Sequence, residues 1–204
     1  MTRGSRKGKK KVNKQPKSPT IVSPSTKMPE SAPLPSGVAK LRPDRTVVTS
    51  KEIFIVASVE SCFKLLASQL EQPPQWDPLI VDARPVSNVR GRIGATSQVT
   101  LNLGGMKLES LATVSRYYPK RGISWVFTTR PRLREDWRLE QKPHGTIVGL
   151  VFAYEVPGWI IGRLLYKVRH WKKVEQDLDK MLTQLKKAVE SISRDQRAIE
   201  KGRL

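Results

Sequence analysis

With 204 residues the chain has room for one ordinary domain and a tail, and a domain of about 150 residues buries roughly 70% of its unfolded surface in one core. A formal charge of +20 points to an anionic partner such as nucleic acid or an acidic lipid surface. One cysteine, Cys62, excludes an intrachain disulfide and a Cys-based zinc site and fits a reducing compartment.

Residues 1–45 hold 12 Lys/Arg against Glu30 and Asp44, so this short stretch carries as much net charge as the rest of the chain. It is rich in Lys, Pro, Ser and Thr and has no aromatic residue, so it cannot bury enough surface to offset ordering entropy. The composition predicts a disordered basic tail, with "RKGKKK" at Arg6–Lys11 either an anion-binding patch or a solvated solubilising run. The start is polar throughout, unlike a secretory signal. The most apolar window, Thr146–Gly162, is broken by Glu155 and Pro157 and falls short of the ~20 apolar residues of a spanning helix. A cytoplasmic location, with peripheral attachment to a membrane as an option, is the expectation.

From residue 46 the text becomes β-branched and apolar, "TVVTSKEIFIV", and predicts a first strand at about 46–57. Ser58 stands where an N-cap should, and Val59, Cys62, Phe63 and Leu66 follow at helical spacing. Cys62 therefore reads as a core thiol, since nothing basic accompanies it one turn away. A second short helix is expected through Leu70 until Pro73 and Pro74 stop it.

Six strand-like runs follow, at about 78–86, 95–103, 106–117, 122–130, 133–141 and 145–156, separated by turn signals at "NLGGMK", "YPKRGI" and "KPHGT". Met106, Leu108, Ser110, Ala112 and Val114 alternate with polar neighbours, so that half of this strand faces an interior. Pro157-Gly158 ends the last run. A long helix then extends to about 192, its stripe of Ile161, Leu164, Val168, Trp171, Leu178, Leu185 and Val189 requiring a broad apolar partner. Residues 193–204 read as a frayed or disordered charged tail.

This order resembles the helix-grip fold of the polyketide cyclase/dehydrase and lipid-transfer superfamily (START-like, SRPBCC). The likeness is carried by "IVASVESCFKLLA", "PPQWDPLI", "GRIGAT", "VSRYYPKRGISWVF", "WRLEQKPHGTIVGLVFAYEV" and "LDKMLTQLKKAVE" and covers roughly residues 46–192. It implies an α+β domain in which a curved antiparallel sheet of about seven strands wraps a long C-terminal helix, with two short helices after the first strand. In such proteins the Pro-Trp-Asp-Pro tract turns the chain into the second strand, Trp76 plugging the space beneath it and Asp77 forming the turn.

The resemblance also implies an apolar cavity between sheet and helix that binds a hydrophobic small molecule or lipid. Its walls would come from Leu101, Leu103, Leu108, Ser110 and Ala112, from Trp125, Phe127, Trp137 and Leu139, and from Ile161, Leu164, Leu165 and Val168 on the helix. Plain core packing is the competing reading of each. The residues themselves identify no nucleophile with its base and no metal or cofactor site. His144 lies in a turn, and His170 among Arg169, Trp171 and Lys172 reads as a solvated surface residue.

Glu135 shares parity with Trp137 and Leu139 and points inward. It is either a general acid of a cyclase or dehydratase or, more plainly, a cavity-mouth ion pair with Arg130 or Arg132. Glu155 carries the same ambiguity. Arg116, Lys120, Arg121, Arg130, Arg132 and Arg134 come from turns and strand ends that would form an anion- or membrane-docking rim if they converge. The alternative functions are thus an enzyme using the cavity carboxylate, or a nucleic-acid or ribosome tether through the tail.

Overall fold

The computed structural model describes residues 41–42, 45–71, 76–128, 132–156 and 164–201. The basic tail up to residue 40, Pro73 and Pro74, Arg130, Pro157-Gly158 and Ile161 lie outside them, as do the side chains of Leu164, Leu165 and Val168. The described strands are β1 (Thr46–Ile55), β2 (Ile80–Pro85), β3 (Thr96–Leu103), β4 (Met106–Tyr118), β5 (Gly122–Phe127), β6 (Leu133–Lys142) and β7 (Gly145–Glu155). A helix α1 (Val59–Ala67) follows β1, and a long helix α2 (Leu164–Lys201) ends the chain.

The strands form one antiparallel sheet in the order β1-β7-β6-β5-β4-β3-β2. Hairpins link all neighbours from β2 to β7, and β1 then pairs with β7 along its whole length. The β3–β4 turn is Gly104-Gly105, both at positive φ, where a side chain would be strained. An extra residue in β4 between Val114 and Arg116 breaks the register with β5, and such a bulge bends a strand and increases its twist.

Helix α1 starts where the sequence predicts. The Ser58 hydroxyl accepts from the Ser61 N–H at 3.2 Å, meeting one of the unsatisfied donors of a helix start, and Val59, Cys62, Phe63 and Leu66 are buried. No second helix follows among the described residues. The chain tightens instead through bonds from Gln69 N to Leu66 O and from Glu71 N to Ser68 O. The few residues before the prolines are too short a stretch to repay helix nucleation.

Inward residues of the strands form one apolar core in which Trp137, Tyr154, Phe127 and Phe152 are the largest fully buried side chains. Helix α2 lays Val174, Leu178, Met181, Leu182, Leu185 and Val189 onto it, each such burial contributing about 2 kcal/mol against exposure. The helix is fixed at both ends. Near its start, His170 and Val174 sit so close to Gly104 that an added Cβ there would lie 2.5 Å from the imidazole. Farther along, Lys51 pairs with Asp179 at 2.6 Å and the Glu190 carboxylate accepts from Val56 N at 3.0 Å. The helix runs on to Lys201, past the end near 192 that periodicity predicts, because buried Ser193 and a run of good helix formers carry it forward.

Candidate functional site

The Trp76-Asp77-Pro78 corner delivers two side chains to the interior. Trp76 is buried and meets the Trp137 ring edge to face, with centroids 6.5 Å apart. Asp77 does make the expected turn, its Oδ1 accepting from Leu79 N at 2.8 Å. Its side chain is nevertheless only 3% exposed, and Oδ2 accepts from the Gln69 amide at 2.6 Å. The residue that reads as a turn former is an interior carboxylate.

Glu135 is 2% exposed and points inward from β6, as its parity predicts. Its Oε2 accepts from the Trp137 indole N–H at 3.2 Å. Burial pushes its carboxyl up to about 8, and the negative charges of Asp77 and, less, Asp136 add to the effect while the indole N–H opposes it. Burial pushes Asp77 up to about 6, against the pull of the Leu79 and Gln69 donors. Burial thus raises both carboxyls above their ordinary range, Glu135 further than Asp77 because the Asp77 charge adds to its own burial. Two further buried atoms lack partners here: Oε1 of Gln69 and Nε1–H of Trp125. Trp125 is the cross-strand partner of Glu135.

The expected wall residues Leu101, Leu103, Ser110, Ala112, Trp125, Phe127, Trp137 and Leu139 are all buried, and half-buried Leu108 packs on the same core. A small pocket opens beside Trp125, bounded by Ala67, Leu70, Ser97, Val114 and Ile123. Its free volume of about 10 Å³ is that of roughly one water.

The model of the family described as "Polyketide cyclase / dehydrase and lipid transport" matches residues 46–190. The chain belongs to this polyketide cyclase/dehydrase and lipid-transport family. Its fold is shared with the Thermus thermophilus protein TTHA0849, at TM-score 0.60 and 21% identity over 72% of this chain and 99% of that one. A START superfamily protein from Mycobacterium smegmatis aligns at TM-score 0.54 and 18% identity, covering 71% and 98%. The di-domain ARO/CYC StfQ from the steffimycin biosynthetic pathway aligns at TM-score 0.59 and 12% identity, covering 76% of this chain and 53% of StfQ. No curated protein matches the chain in sequence.

Within this member of the polyketide cyclase/dehydrase and lipid-transport family, several expected positions need correction. His170 is buried, 3.5 Å from the Tyr154 hydroxyl through Nε2, and burial holds its imidazole below the usual histidine range against the opposing Gly104 backbone. It lies one turn before Val174 on the apolar stripe, which buries it although its sequence neighbours are charged. Glu155 pairs with Arg42 at 3.8 Å at the edge of the sheet and does not join Glu135. Among the described residues the hydrogen-bond partner of Glu135 is Trp137, and Arg130 lies outside them.

Among the described residues, Lys120 and Arg121 lie at the opposite end of the sheet from Arg132. Lys120 pairs with Glu60 at 2.6 Å and exposed Arg121 follows it in the β4–β5 turn. Arg132 lies at the far end of β5 and β6, where its carbonyl accepts from Glu155 N, roughly 20 Å away at the rise of a strand. Arg116 stands opposite Ser124, and Arg134 pairs with Asp136 on the outer face at 2.8 Å. Cys62 is buried, with its thiol pushed up to about 11, which suits a core thiol. Among the described residues no three ligating side chains gather as a metal would need, and no helix is long and apolar enough to cross a membrane.

Proposed function

We propose that the protein binds a hydrophobic small molecule or lipid in the interior between the sheet and α2. One observation carries this reading: an apolar interior contains the buried Asp77–Glu135 pair, and the charges that reach Glu135 are negative. Such a pair costs stability in a core that serves packing alone, and it is suited to orienting a guest that the apolar walls desolvate. The family's description, which includes lipid transport, supports the same reading. The free space beside Trp125 is about 10 Å³, so a guest larger than a water requires the packed interior to open. Native mass spectrometry of the full chain with organic extraction tests the proposal. A stoichiometric apolar molecule is expected, and an empty protein that takes up neither lipids nor quinones overturns it.

A second reading, a cyclase or dehydratase, is favoured by the inward carboxyl of Glu135, which burial raises in the direction that a general acid needs. Turnover of a captured substrate would then be lost in Glu135→Gln while binding survives. Unchanged turnover removes this version.

A further inference from the structure

The interior polar groups form a connected set. Trp125 on β5 faces Glu135 across the β5–β6 ladder, Glu135 lies within the field of Asp77, and Asp77 holds the Gln69 amide. The set leaves one acceptor, Gln69 Oε1, and one donor, Trp125 Nε1–H, without partners, on side chains 1% and 3% exposed. An unpaired buried polar atom is costly, so a guest that pairs both is selected over one that pairs neither.

We propose that Gln69, Asp77, Glu135 and Trp125 form an anchor for the hydroxyl group of an otherwise apolar ligand, an alcohol or a phenol. This inference rests on the ligand-binding reading above and names the class of ligand. A hydroxyl donates one hydrogen bond and accepts others, so it can serve an unpartnered acceptor as well as an unpartnered donor. An ammonium has no acceptor for the Trp125 N–H. A carboxylate or phosphate head would meet the Asp77 charge in a medium that screens it poorly. The anchor therefore discriminates against anionic amphiphiles as well as against bare hydrocarbons.

The protonation of Glu135 adds a second discriminant. As an acid it offers an O–H to the guest, and as a carboxylate it offers a further negative charge. The ionisable groups that reach it are Asp77, from the segment between α1 and β2, and Asp136 on its own strand, with the indoles of Trp137 and Trp125 as neutral neighbours.

The test compares 2-naphthylmethanol with 2-ethylnaphthalene, near-equal in shape and differing in the hydroxyl, by titration calorimetry on the full chain. At pH 6 the alcohol is expected to bind at least tenfold more tightly. That preference should fade in the wild type as pH passes about 8 and persist at pH 9 in Glu135→Gln, whose amide keeps a donor without the charge. Gln69→Leu should reduce it at pH 6. Binding of both probes with equal affinity means that water satisfies these groups, and it overturns the anchor while the cavity stands. Binding of neither overturns both. A preference indifferent to pH and to Gln69→Leu places the hydroxyl elsewhere and also overturns the anchor.

Discussion

Glu135→Gln is expected to stabilise the protein at pH 9 and to leave its stability nearly unchanged at pH 4. The ordinary glutamate carboxyl ionises at 4.5, and in the fold it does so at about 8. Between those values the unfolded chain has released the proton that the folded chain still holds. The unfolded state then binds fewer protons, so stability falls as pH rises through this window, at up to ~1.4 kcal/mol per pH unit. Below the window both states are protonated, and above it both are ionised, so the curve is flat on either side. Asp77 acts in the same direction between 3.8 and about 6. The ceiling for Glu135 is ~5 kcal/mol, and sharing of charge with Asp77 brings the expected gain of the glutamine variant at pH 9 to about 3 kcal/mol. Urea denaturation at pH 4, 6.5 and 9 checks it. Parallel stability curves for wild type and variant would show that the carboxyl is not held protonated by the fold.

Trp137→Ala should be the most damaging single change near the site. The side chain is 1% exposed, stands edge to face with Trp76 and donates to Glu135. Truncation loses the transfer energy of an indole and leaves a cavity that the sheet cannot close, about 3–5 kcal/mol. Trp137→Phe separates packing from hydrogen bonding, because it keeps most of the apolar surface and removes the N–H. It should cost about 1–2 kcal/mol. It should also move the upper end of the pH-dependent window to higher pH, since the lost N–H is the group that lowers the Glu135 carboxyl. A loss below ~1 kcal/mol in Trp137→Ala would mean that the interior relaxes around the gap.

Much of this fold is legible locally. Alternating side chains, the Gly104-Gly105 turn and the Ser58 cap are each decided within a few residues, and the structure has a strand or helix start at each. The second short helix is absent among the described residues because the prolines leave it too few residues to repay nucleation, whatever their apolar character. Glu135 was readable from strand parity with Trp137. Asp77 was not, because a carboxylate before a proline has a sufficient local role as a turn former, and its burial depends on the distant β6. Gln69 had a signal: it stands three residues after Leu66, on the buried face of α1 continued. His170 likewise lies four residues before Val174. The scatter of the basic residues is tertiary information, since the length of β5 that separates Lys120 from Arg132 becomes a distance once the sheet is formed.

The pairing of β1 with β7 has a consequence for how the chain is made. Thr46 lies opposite Glu155 and Ile55 opposite Thr146, contacts roughly a hundred residues apart in sequence, which makes folding slow and late. At a synthesis rate of about 5–20 residues per second, the first strand waits roughly 5–20 s at the ribosome before its partner exists. During that wait "TVVTSKEIFIV" is a β-prone segment with no neighbour. Lys51 and Glu52, one turned towards α2 in the finished protein and the other exposed, are the charges that interrupt it, and charges so placed guard a nascent strand against pairing with its copies on neighbouring ribosomes.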